Sequence, residues 1–393
     1  MMNEITPDKT DLDIHKKSVQ KHLLAENGDA CLIYSVVNIY YLTGMMFDGY
    51  VYLPKEGELI CFVRKPIHIK DERVVFIRKP EDISEELKKR GLVFPEILAL
   101  EADVLTYNEY LRLQTIFNPK ETRNATAMLR KARMIKTPWE IKQFRISAKQ
   151  HQYTYKQIPS LFKEGMTDLE FQYELEFAMR RHGSIGIFRT FGSNMEIFMG
   201  SVLAGKNAAT PSPFDFALGG AGNSAIPIGA NGSIIERGQT VMIDLAGNFT
   251  AYITDMTRTY AYGKLPDIAY QAHQVSLEMH QWLKEEAKPG MSCSEIYEYC
   301  LKAAEAAGFS EYFMGIEQQA KFVGHGVGIE INELPILMSR SKEKLKENMV
   351  FAFEPKFVIP DVGAVGIENT YLVTENGLEN LTPFEEKIMD LNW

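Results

Sequence analysis

The sequence predicts a mixed α/β (α+β) protein of two domains, and three observations carry that prediction. The chain has 393 residues, 45% of them hydrophobic and 24% charged, ordinary globular values with apolar material for more than one core. A polar, basic stretch from about Pro119 to Lys136 separates two regions of different pattern. Beyond it, one arrangement of a capped helix followed by a strand pair occurs twice. We place an N-terminal domain at residues 1–130 and a C-terminal domain at 131–393.

The first region reads as a small α/β unit. ACLIYSV is a strand candidate. GYVYLP and ELICFVRK flank Lys55-Glu56-Gly57, a hairpin signal with glycine at the turn. RVVFIRKP follows, then the helix pattern DISEELKKRG with Asp82 as expected N-cap. Thr137-Pro138-Trp139-Glu140 opens the second region as a helix start, with threonine at the cap and proline in the first turn.

The repeat begins at Lys163 with KEGMTDLEFQYELEFAMRRHG and again at Lys288 with KPGMSCSEIYEYCLKAAEAAG. Each carries a capping box, Thr167 with Glu170 and Ser292 with Glu295. Each ends at a glycine suited to a left-handed cap, Gly183 and Gly308. Downstream of the first helix, VMIDLAGNFTAYITDMTRTY holds Asp244 and Asp255 in strand-like surroundings. Downstream of the second, MVFAFEPKFV and AVGIENTYLV hold Glu354 and Glu368. Pseudo-twofold packing of the halves would bring the four carboxylates together.

Composition excludes several classes. A net charge of -9 without a lysine or arginine run leaves no footprint for nucleic acid. The polar N-terminus has no apolar signal core. The most apolar stretch, ACLIYSVVNIYYLTGMM, is interrupted by Ser35, Asn38 and Thr43 and is too short for a membrane span. Cys31, Cys61, Cys293 and Cys300 form no C-x-x-C pair, which fits a reducing compartment. The expectation is a cytoplasmic enzyme without nucleic-acid or membrane partners.

Four converging carboxylates repel one another unless cations join them. Two divalent ions roughly 3.5–4 Å apart would answer that repulsion and make a hydrolytic centre. Of eight histidines, His15, His22, His68, His151, His182, His273 and His280 lie in charged or amphipathic contexts and read mostly as surface groups. His325 stands apart, held between Gly324 and Gly326 in FVGHGVGIEINELP, where the backbone can approach closely.

Taken together, D-x-x-G with D-x-T-R-T, then G-H-G-x-G, then E-P, then I-E before a strand resemble the pita-bread metallopeptidases. That superfamily includes methionine aminopeptidase, aminopeptidase P, prolidase (Xaa-Pro dipeptidase) and creatinase. NIYYLTG and MIKTPWEI resemble the N-terminal domain and the domain junction of the prolidase and creatinase branch. The resemblance implies a creatinase-like N-terminal α/β domain, a curved antiparallel C-terminal sheet and homodimers. It also implies five metal ligands, Asp244, Asp255, His325, Glu354 and Glu368, with Asp255 and Glu368 bridging and Glu354 handling protons. A donor set of four carboxylates and one imidazole suits manganese, cobalt or iron, with zinc an alternative.

The sequence departs from that branch around the ligands. Ile228 stands where prolidases carry a histidine, and Asn332 replaces the histidine of H-E-x-P. Gly366 replaces the arginine of G-x-R-I-E, and Lys356 replaces the glycine of E-P-G. Arg189, between aromatics, is either a clamp for a substrate carboxylate or a structural ion pair. Lys356 is either a substitute positive charge in the substrate pocket or a solvated lysine. Phe214 and Phe216 either line the pocket or pack in the core. Arg258 is expected in a structural ion pair. The first reading is a dinuclear peptidase for Xaa-Pro dipeptides or short Xaa-Pro peptides. The alternatives are a metal-dependent hydrolase or lyase for a small non-peptide substrate, and a binding protein that retains the fold.

Overall fold

The computed structural model describes residues 6–192 and 195–391, and the chain divides into two units between Arg133 and Met134. The first unit runs α1 (Lys9–Ala25), β1 (Ala30–Ile33), α2 (Val36–Thr43), β2 (Asp48–Pro54), β3 (Ile60–Lys65) and β4 (Val74–Phe76). It continues with α3 (Glu81–Lys89), β5 (Ile97–Leu100), α4 (Tyr107–Phe117), β6 (Glu121–Asn124) and α5 (Thr126–Arg133). Its strands form one mixed sheet, ordered β4-β3-β2-β1-β5-β6. The expected hairpin is β2 and β3.

Two local expectations for this unit fail. The ACLIYSV strand stops at Ile33 because Ser35 caps α2, accepting from the Asn38 amide. The Tyr34 and Ser35 amides turn to the Glu101 carboxylate at 2.5 and 2.8 Å rather than to a neighbouring strand. Asp82 is not the cap of α3: Pro80 stands there, and Asp82 Oδ2 accepts from the Arg78 and Lys79 amides of the preceding turn.

The second unit opens with α6 (Pro138–Tyr155), α7 (Ile158–Leu161) and α8 (Asp168–Arg181). Thr137 caps α6 and Thr167 caps α8, each in a reciprocal box with the glutamate three residues on. Then come β7 (Gly200–Ala204), an irregular glycine-rich loop, β8 (Gln239–Gly247) and β9 (Thr254–Tyr262). In that loop Phe214 and Phe216 are half-buried and pack edge to face on each other. The second half brings α9 (Asp267–Glu286) and α10 (Cys293–Ala306), the latter closed by the Ser292 and Glu295 box. Both repeat helices end as expected, with Gly183 at φ 96° and Gly308 at φ 76°.

Eight short strands follow: β10 (Gly324–Gly326), β11 (Glu333–Ile336), β12 (Val350–Phe353), β13 (Lys356–Ile359), β14 (Gly363–Gly366), β15 (Asn369–Thr374), β16 (Gly377–Asn380) and β17 (Met389–Asp390). The antiparallel architecture is delivered in three segments. One is β11-β10-β12-β15-β16, one is β13-β14, and one is β17-β9-β8-β7, in which only β17 runs parallel to its neighbour. Beside the β9–β17 pairing, an isolated bridge from Thr257 to Glu368 joins the first half to the second through reciprocal amide bonds of 3.3 and 3.2 Å.

Each half has its own core. In the first, Phe171, Leu175 and Met179 recur at helical spacing along α8 and pack with Val241, Ile243, Leu245, Met256 and Tyr260 of β8 and β9. In the second, Ala272, Met279 and Leu283 of α9 and Ile296 of α10 cover Phe351, Phe353, Tyr371 and Val373. Each large apolar side chain so buried contributes roughly 1.5–3 kcal/mol. His15, His151, His273 and His280 are buried, against the surface reading. They occupy inward faces of α1, α6 and α9, where a ring can pack. His280 bonds the Tyr371 hydroxyl and the Ile367 carbonyl. All four cysteines are free and buried. Among the described residues, no helix is long and apolar enough to cross a membrane.

Candidate metal centre

Period-two alternation aims the first two carboxylates. Along β9, Asp255, Thr257 and Thr259 share one face, while Met256 and Tyr260 fill the core on the other. Asp244 on β8 pairs with Thr257 and Ala246 pairs with Asp255, so both aspartates lie on the face away from that core. Thr370 latches the backbone of Asp255: its Oγ1 accepts from the Asp255 amide and donates to the Asp255 carbonyl, both at 2.8 Å. Thr257 Oγ1 donates to Glu368 Oε2 at 2.7 Å.

Glu354 and Glu368 arrive differently, because each sits where a strand breaks. Glu354-Pro355 separates β12 from β13, and Ile367-Glu368 separates β14 from β15. Phe353 pairs with Asn369 on one side of the break and Lys356 with Gly366 on the other. His325 lies on β10 opposite Ala352. Its flanking glycines are required by close approach: a Cβ on Gly324 would lie 2.2 Å from the Ala352 oxygen, and one on Gly326 would lie 2.0 Å from the Leu334 oxygen.

The structure brings all five expected ligands together, as two overlapping groups. Asp255, His325 and Glu368 form one, and Asp244, Glu354 and Glu368 the other. Burial, then repulsion from Glu368, Asp244 and Glu354, pushes Asp255 well above the usual carboxylate range. Burial and Glu354 do the same to Glu368, with Lys356 opposing. The first group has open donors. Oε1 of Glu368 is buried without a hydrogen-bond partner. His325 Nδ1 lies 3.2 Å from the Gly326 carbonyl, which can only accept, so Nδ1 donates there and Nε2 is the ring nitrogen left to face the carboxylates. Nε2 faces Glu354 Oε1 at 3.5 Å and Asp255 Oδ2 at 3.8 Å. An imidazole nitrogen set among carboxylates, beside an orphaned carboxylate oxygen, is a donor set that fits a divalent cation.

The second group already holds a cation. Lys356 is fully buried, and its Nζ donates to Asp244 Oδ2 at 2.8 Å, Glu354 Oε2 at 2.8 Å and Glu368 Oε2 at 3.2 Å. Burial alone would lower its pKa, but the three carboxylates outweigh burial and hold the ammonium well above its ordinary value. Lys356 is therefore neither solvated nor turned toward a substrate pocket. In the sequence this position shows only as a lysine directly after Glu-Pro inside an apolar strand, which does not tell its direction.

Other expected residues are redistributed. Asn332 clamps the Phe191 backbone, accepting its amide at 2.7 Å and donating to its carbonyl at 2.8 Å. A side chain so committed holds a loop rather than a substrate. Ile331 donates to the Arg189 carbonyl, which fixes the backbone of Arg189 alongside, while the Arg189 side chain is half-buried. Ile228 is buried in the glycine-rich loop. Among the described residues Arg258 makes no ion pair; it is fully buried and donates to the carbonyls of Glu385, Thr257, Glu368 and Thr382 and to Asn369 Oδ1. The arginine thereby ties β9 to the Glu368 segment. Thr257, Thr370 and Arg258 support the site; Thr257 and Arg258 belong to the D-x-T-R-T motif, while Thr370 carried no signal in the sequence.

A helix-covered antiparallel sheet that gathers buried carboxylates and one imidazole defines a class of metal-dependent hydrolase. Residues 142–375 match Metallopeptidase family M24, and residues 16–135 match the Creatinase/Prolidase N-terminal domain. The chain belongs to the M24 metallopeptidase family. It is 29% identical to the Xaa-Pro dipeptidase of Pyrococcus furiosus over 92% of this chain and 95% of that protein. Among solved structures, it resembles the prolidase from Pyrococcus horikoshii OT3 at a TM-score of 0.76 and 25% identity, covering 94% of this chain and 98% of that one. The prolidase from Pyrococcus furiosus gives 0.75 and 27%, covering 93% and 99%.

Proposed function

We propose that this chain is a metal-dependent Xaa-Pro dipeptidase, cleaving dipeptides or short peptides at the bond before proline. The observation that carries the reading is the open donor set of His325 Nε2, Asp255, Glu354 and Glu368 Oε1, in a chain that is aligned over 92% of its length with a protein named Xaa-Pro dipeptidase. Asp255, His325, Glu354 and Glu368 would hold a divalent ion, with Asp244 at the edge of the group. The mostly hard oxygen donors favour manganese over softer metals. Such an ion, when bound, polarises a carbonyl and lowers the pKa of water.

The protein's own groups supply the rest. Glu354, the proton-handling group that the resemblance implies, would take a proton from water and pass it to the departing imino nitrogen of proline. His325 keeps its Nδ1 proton on the Gly326 carbonyl throughout and so presents a fixed Nε2. Arg189, whose backbone is held by Ile331, is the proposed partner of the substrate carboxylate. Ile228 contributes apolar wall only. We carry a cytoplasmic homodimer as part of the same reading.

The test is proline release from a panel of Xaa-Pro dipeptides by manganese-loaded protein, with Asp255→Asn as blank. Metal-dependent release supports the reading. An absence of release, with bound manganese confirmed, would overturn it in favour of a non-peptide substrate.

A further inference from the structure

The five acidic and imidazole groups would accommodate two ions if nothing else lay among them. Lys356 lies among them. An ammonium has three N–H donors and no acceptor, and here each donor is spent on a different carboxylate: Asp244, Glu354 and Glu368. A divalent ion bonded to those same three oxygens, at roughly 2.0–2.2 Å, would need the space that the ammonium fills. Two of the three carboxylates then turn a second oxygen the other way. Glu354 Oε1 faces His325, and Glu368 Oε1 is buried without a partner. Asp255, His325 and Glu368 group together, and Glu354 Oε1 reaches His325 Nε2 at 3.5 Å, so the four outline one further seat.

The strand opposite is adapted to the lysine. Gly366 pairs with Lys356 across β13 and β14. A Cβ at Gly366 would meet the Pro355 oxygen at 2.7 Å and the Lys356 Cα at 3.0 Å, and its φ is 128°. The two positions at which the sequence departs from the prolidase pattern beside its last two glutamates are thus one cross-strand pair. A positive charge stands on the first strand and none on the second. Lys356 is anchored from outside as well, since its carbonyl accepts the Met314 amide at 2.9 Å.

We propose that the Lys356 ammonium is a tethered replacement for one of two metal ions, so that the centre takes a single divalent ion at Asp255, His325, Glu354 and Glu368. This rests on the reading of the site as a metal centre but not on its substrate. Glu354 and Glu368 each bridge between ammonium and ion. Asp244 serves the lysine.

The experiment is equilibrium dialysis of the full chain against excess manganese, with bound metal counted by mass spectrometry and its spin coupling read by electron paramagnetic resonance. The wild type is expected to hold one ion per chain with an uncoupled six-line spectrum. Lys356→Gly, which frees the three oxygens, is expected to hold two and to show exchange coupling. Should Lys356→Gly fail to fold, Asp244→Asn decides: it leaves the count at one, because its partner is the lysine. Two coupled ions in the wild type would overturn the proposal while leaving the metallopeptidase reading intact. An unchanged count in folded Lys356→Gly, or loss of the ion in Asp244→Asn, would also overturn it. An ion-free wild type would overturn both proposal and reading.

Discussion

The two halves of the second unit deliver two carboxylates each, by different means. In the first half, Asp244 and Asp255 project from unbroken nine-residue strands, and their direction follows from alternation alone. In the second, Glu354 and Glu368 lie in gaps between four short strands, where the ladder stops and restarts in another sheet segment. A continuous strand fixes its side chains and admits little else. A broken one frees the next residue to turn inward, and there Lys356 enters. The difference teaches that a repeated fold need not repeat its chemistry: the regular half supplies anions, and the irregular half supplies anions and a cation.

The largest test of this contrast is at Asp255. Asp255→Asn removes a proposed ligand while the Thr370 latch still holds the backbone. Turnover should fall by at least ~100-fold with little change in melting temperature. A collapse of the fold instead would mean that the strand, and not the ion, depends on the carboxylate.

A second test uses pH on metal-free protein. Asp255 and Glu368 are raised above their ordinary values of 3.8 and 4.5. The folded chain therefore binds more protons than the unfolded one above those values. Their contribution to stability is fully present below the ordinary carboxylate range and is lost as pH rises through the folded values. In chelator, the melting temperature should fall as pH rises above the ordinary carboxylate range, with a smaller fall in Glu368→Gln. Added manganese should flatten the dependence. A metal-free melting temperature that climbs with pH would contradict the assignment.

Asn332→Ala removes both bonds to Phe191 and should cost about 1–2 kcal/mol, read by denaturant midpoint, with KM affected more than kcat. An equal fall in kcat would point to a direct role in the reaction. The smallest effects concern the repeat itself. Thr167→Ala and Ser292→Ala should each cost about 1 kcal/mol and leave metal content unchanged. A large inequality between them would show that one half depends on its cap far more than the other.

Much of this was legible in the sequence for definite reasons. The capping boxes at Thr137, Thr167 and Ser292 are local, and local chemistry decides them. The ligand candidates stood out because carboxylates in apolar strands demand a partner. What escaped was decided by tertiary packing. Lys356 follows Glu-Pro, and only the pairing with Gly366 shows that its side chain has nowhere to go but inward. Arg258 has acidic residues in both directions along the chain, yet folds onto carbonyls from segments more than a hundred residues away. The clamp of Asn332 on Phe191 spans 141 positions, and no periodicity records it.

The cysteines extend the comparison of regions to the units themselves. Cys31 and Cys61 lie in the first unit, and Cys293 and Cys300 in the second. Burial raises all four thiols, Cys61 and Cys293 to about 12, so almost no thiolate exists at neutral pH in the folded chain. Alkylation can then proceed only through opening, and peptide-resolved labelling becomes a pair of independent clocks, one for each unit's breathing. With metal added or withheld, the clock at Cys293 and Cys300 would time how strongly the ion closes the unit that binds it.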